Sequence, residues 1–97
     1  MESIAQNIAK KIAKDFDLSY EHFLKESSQL FLEKKLKTIV ADILILANRY
    51  GVSTTSEFED LYKKGKIDES TSLDDFKQMD RLEYEKEKIQ KLLEKLE

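Results

Sequence analysis

The side chains that could do chemistry are few and scattered along the chain. His22 is the only histidine and there is no cysteine, so neither an imidazole and thiolate metal cage nor a Ser-His or Cys-His relay can be assembled unless another chain contributes. A lone helical histidine is expected at a partly exposed position. Carboxylates come in groups, Asp74 with Asp75 and Glu57 with Glu59 and Asp60, and paired carboxylates can hold a divalent cation or divide acid and base roles. These groups fall where helices are expected to begin, and acids are favoured there by the positive end of the helix dipole. Capping therefore accounts for them.

Lys10, Lys11 and Lys14, with Ser19 at the next helix start, form a local basic set that could meet phosphate oxygens; a solvated helix face explains the lysines more simply. No calcium loop, phosphate-cradling glycine loop or G-x-S-x-G elbow occurs. No catalytic residue, metal ligand or cofactor-binding residue is expected, and the reading is of a protein that is not an enzyme.

The most apolar stretch, LKTIVADILILANRYGV at 36–52, holds an acid, Asp42, in its middle. Its unbroken apolar run is Ile43 to Ala47, far short of the roughly 20 residues that span a bilayer. A carboxylate among Ile39, Val40, Ile43 and Leu44 must reach solvent or find a partner. Either it marks the wet edge of this helix, the favoured reading, or it pairs with Arg49 or Arg81 to fix the register of an interface.

The elements that position these residues follow from composition and periodicity. The 97 residues suit one domain, 1–97, without proline and with only Gly51 and Gly65 to break helices. The absence of cysteine is natural in a reducing cytoplasm, and MESIAQNIAKKIAKDF lacks the continuous apolar segment of a signal peptide. The fold class is all-α, with four helices at about 3–16, 19–50, 54–64 and 72–96. Ile4, Ile8, Ile12 and Phe16 lie four apart beside Ala5, Ala9 and Ala13, one helix stripe. Asp17 or Ser19 caps the second helix, which Gly51 closes and which has room to bend at Ser27 and Ser28. Thr54 and Glu57 make a capping box for the third, and Ser72 caps the fourth. The fourth helix carries a heptad-like seam of Met79, Leu82, Ile89, Leu93 and Leu96, interrupted by Lys86. It is expected to pack antiparallel on helix two.

Helix two is apolar nearly all round its second half, which calls for a central place in a bundle. One 97-residue chain offers little to cover it, so a helical-bundle homodimer is expected, with Leu36, Ile39, Ile43, Ile45, Leu46, Tyr50, Leu82, Ile89, Leu93 and Leu96 as candidate interface residues.

Over residues 3–36 the order of helix, Asp17-Leu18-Ser19 and YEHFLKESSQLFLEKKL resembles the helical half of ribbon-helix-helix, antitoxin-like proteins. Ser19 matches the turn position, Phe23-Leu24 the first apolar pair, Ser27 the small residue and Phe31-Leu32 the closing pair. Only Met1-Glu2-Ser3 precede helix one, where that family has a DNA-reading strand, so base readout of that kind is not expected. The resemblance implies a dimer-forming hairpin followed by a partner-binding carboxyl region. Residues 1–52 carry eight Lys/Arg against seven Asp/Glu and residues 53–97 nine against thirteen, and an acidic second half would fit a basic partner such as an RNA-cleaving toxin.

The leading expectation is thus a non-catalytic, self-associating interaction module, antitoxin-like on the strength of that resemblance. The alternatives are a small nucleic-acid-binding regulator contacting phosphates through the helix 1–2 region, not favoured at a net charge of −3, and a structural subunit of a larger assembly.

Overall fold

A computed structural model describes residues 2–97, with the side chains of Glu69 and Thr71 outside the described set. Four helices follow one another: α1 (Ile4–Asp15), α2 (Tyr20–Tyr50), α3 (Thr55–Lys63) and α4 (Glu69–Leu96). The described residues contain no strand and no helix long and apolar enough to cross a membrane.

Local chemistry sets the helix ends. Ser3 caps α1 in a reciprocal box with Gln6, satisfying two otherwise free amides. Asp17 then takes a left-handed backbone, φ 57°, a conformation that Asp tolerates better than most residues. Ser19 accepts a hydrogen bond from the His22 amide at 3.0 Å and starts α2. From there α2 runs uninterrupted past Ser27 and Ser28, until Gly51, φ 66°, closes it and the Val52 amide donates back to the Ala47 carbonyl at 2.9 Å. Thr54 caps α3 as expected, but Glu57 reaches one residue further than a capping box requires, accepting from the Ser53 amide at 2.7 Å.

The start of α4 departs from expectation. Asp68, rather than Ser72, is the cap, accepting from the Ser70 amide at 3.0 Å. Ser72 is 2% exposed within the helix, its hydroxyl donating to the Asp68 carbonyl. Both residue types can cap, and an earlier start lets Ser72 satisfy its hydroxyl on the preceding turn.

α4 packs antiparallel along α2: Arg49 and Tyr50, at the end of α2, bond to Asp75 near the start of α4, while Phe31, Lys34 and Ile39 line a groove with Glu85 further along. The core lies between them, with Ile39, Ile43, Leu46 and Ala47 against Met79, Leu82 and Ile89. α3 folds over one end and inserts Phe58, which is fully buried. Its ring lies 4.4 Å from Tyr50, 5.9 Å from Tyr62 and 5.5 Å from Phe76, centroid to centroid, so one aromatic cluster joins α2, α3 and α4.

Candidate interaction surface

The expected interface residues are mostly occupied within the chain. Ile39, Ile43, Leu46, Leu82 and Ile89 are buried, and Leu36, Tyr50 and Leu93 pack against them partly buried. Leu96 is half-buried, and Ile45 alone of the ten stands well exposed, at 59%. One face of α2 is therefore covered by α4 of the same chain, and the side chains on it are not free to form a wall between copies. The seam on α4 has the expected course, with Lys86 at its half-buried polar position.

Leu44, at 54%, and Ile45 stay open on the outer side of α2, and a larger uncovered apolar surface lies at the other end. A helix of 12 residues is ~18 Å long, so α1 matches only the first part of α2. Ala13 is its one buried residue, and Ala9 is half-buried: the alanine strip approaches α2 because small side chains let two backbones come close. The isoleucine strip beside it turns outward, leaving Ile4 80%, Ile8 55% and Phe16 73% exposed. On α2 the exposed apolar residues Leu24, Leu30 and Phe31 belong to the same hairpin.

α4 ends within this region, short of Leu24. With Asp75 opposite Arg49 and Tyr50, equal rise along two antiparallel helices brings Leu96 level with about Ser28 and Gln29. Grooves lined by Ser27, Ser28, Phe31 and Leu32, and by Phe31, Lys34, Lys35 and Thr38, flank Phe31 at this junction. Lys35 extends over the Phe31 ring with its Nζ 5.7 Å from the centroid, leaving the ring itself 59% exposed.

The charged candidates are arranged differently from the sequence expectation. Lys10 pairs with Glu2 and lies 5.6 Å from the Tyr20 ring centroid, and Lys11 pairs with Asp15 at 3.0 Å. Lys14 has no ion pair among the described residues, and the Ser19 side chain is taken up as a cap. Exposed pairs of this kind are weak, yet each places a carboxylate where a phosphate would have to approach. His22 is exposed and faces Glu26 at 3.3 Å.

Asp75, read from sequence as a helix-start acid, is instead a junction. It accepts from the Tyr50 hydroxyl at 2.6 Å and from Arg49 at 2.8 Å. The Tyr50 bond, then the Arg49 bond, holds its carboxyl below the ordinary range, whereas burial and the bond to Asp75 push the Tyr50 phenol up. A second bridge ties α3 to α4, with Thr55 donating through its hydroxyl and its amide to Glu83. Arg49 is thus engaged away from Asp42, which is half-buried and has no ion pair among the described residues.

Sequence periodicity found the apolar strip of α1 but not its outward direction. The available signal was its width: parallel strips of Ile and Ala exceed what one neighbouring helix covers.

No curated protein and no solved structure matches this chain. One family match extends over residues 1–97, and by it the chain belongs to the uncharacterized protein MJ0235 family.

Proposed function

We propose that this chain is a non-catalytic helical protein–protein interaction module whose working surface is the apolar face of the α1–α2 hairpin. The observation that carries this reading is the exposure of Ile4, Ile8, Phe16 and Phe31 in a chain that buries its other apolar seam well. An aromatic side chain offers roughly 150–250 Å² of surface. At 73% and 59% exposure, Phe16 and Phe31 together present roughly 200 Å² or more. Adding the isoleucines brings the exposed apolar area to several hundred Å², the size at which a patch on a soluble chain is often functional.

The ionisable groups with the strongest contacts, Arg49, Tyr50 and Asp75, join helices to one another, which supports a scaffold role for them over a chemical one. Photo-cross-linking in cells tests the reading. A photoreactive side chain at position 8 or 31 should form adducts with protein, whereas one at the exposed position 85 on α4 should form far fewer. Equal yields at all three positions would refute a dedicated surface on the hairpin.

A further inference from the structure

We infer that the occupant of this face is a second copy of the same chain, paired hairpin to hairpin about a twofold axis so that the exposed α1 ridges of the two chains cross and interlock. The inference rests on the proposed interaction surface and names its partner.

Area gives the first argument. A compact monomer of 11.4 kDa should expose about 5,800 Å², whereas this chain exposes 7555 Å². The excess of roughly 1,800 Å² accompanies an elongated shape of 59 × 25 × 19 Å and exceeds the ~800 Å² that each partner contributes to a standard interface. A homodimer can therefore be built from the excess alone, leaving the α2–α4 core undisturbed.

Charge supplies the second. Residues 4–31 carry four Lys and four Asp/Glu, while residues 53–97 carry nine Lys/Arg against thirteen Asp/Glu. A twofold interface sets a surface against itself, so any net charge on it opposes pairing. The neutral hairpin satisfies that condition and has no electrostatic preference for a strongly acidic or basic partner.

Shape supplies the third. Ile4, Ile8, Ile12 and Phe16 make an i±4 ridge on α1, and two such ridges interlock in the commonest class of helix crossing, near −50°. A ridge of this spacing is complementary to its own copy.

The test is the mass of the full chain in dilute solution, measured by sedimentation and light scattering. Twice 11.4 kDa is expected for the native chain, with Ile8→Glu raising the dimer dissociation constant at least 100-fold while helix content stays unchanged. Ile45→Glu, on the exposed side of α2 away from the hairpin, should remain dimeric. Should Ile8→Glu lose helicity, Ile8→Ala serves instead, with a tenfold or greater rise expected. A monomeric native chain, or a dimer broken by Ile45→Glu and spared by the Ile8 variants, overturns the inference. In the first case, cross-links from position 8 to a different protein would leave the interaction-module reading standing; no protein adduct there would remove both.

Discussion

The same substitution at two isoleucines separates the closed part of this molecule from the open part. Ile43 is 8% exposed between α2 and α4, whereas Ile8 on α1 is 55% exposed. Truncating a buried isoleucine to alanine costs about 2–5 kcal/mol, because the lost transfer energy is joined by a cavity that neighbours fill only partly. Ile43→Ala should therefore lower Tm by more than about 10 °C in a domain of this size. At Ile8 less than half of the side chain is covered, and alanine recovers a few tenths of a kcal/mol in helix propensity. In a sample dilute enough for the native chain to be monomeric, the net loss should stay below about 1 kcal/mol. Concentration then reports on association: a dimer gains stability by mass action, so the native Tm should climb as the sample is concentrated, and the Ile8→Ala Tm should climb less. Circular dichroism melts at two concentrations a hundredfold apart measure all of this. If Ile8→Ala proved as destabilising as Ile43→Ala in the dilute sample, the hairpin face would not be open, and the reasoning built on its exposure would fail.

Three further outcomes are expected. Phe58→Ala should cost about 3–5 kcal/mol and loosen α3 first, because this ring is the centre of the aromatic cluster; hydrogen exchange should show residues 55–63 losing protection ahead of α2. At the Asp75 junction, Tyr50→Phe should cost about 1 kcal/mol, more than Arg49→Ala, whose side chain is 53% exposed; in denaturant titrations the reverse order would contradict this assignment. The lowered Asp75 pKa makes the junction's contribution complete above the ordinary carboxylate range and lost as pH falls through the depressed value, so the native chain should lose more stability on acidification than Asp75→Asn. Asp42→Leu should leave the solution mass unchanged and Tm equal or higher, since no ion pair ties Asp42 to another helix among the described residues; a lost dimer or a lowered Tm would give Asp42 a pairing role.

The helices were legible in the sequence because their signals are local. Ser19, Gly51 and Thr54 act within one turn of their own position, and the four-residue spacing of Ile4, Ile8, Ile12 and Phe16 is a property of one helix. The early start of α4 was hidden because Asp68 and Ser72 are both competent caps one turn apart, and tertiary burial of Ser72 decides between them. Asp75 was hidden for a related reason. An acid near a helix start already has a local explanation, and its bonds to Arg49 and Tyr50 cross more than twenty residues of sequence. Apolar spacing likewise marks which side chains seek cover without saying what covers them, so the stretch at 36–52 looked as suited to a second chain as to α4.

Register resolves that choice and creates the open surface elsewhere. α2 has 31 residues, and the last of them lies against the first turns of α4 because α3 and its flanking loops occupy little length. Antiparallel pairing from that point carries α4 back to about Ser28, so its 28 residues cover α2 from Leu32 to Tyr50 and stop short of its first turns. The remaining length of α2 has α1 alone beside it, and α1 presents alanines inward and isoleucines outward. Reversing that choice would have put larger side chains between α1 and α2 and left alanines on the surface, a face with little to offer a partner. Small residues where two helices of one chain meet, and large ones on the side turned away, give a hairpin that is thinly held by its own chain and suited to a symmetric second one.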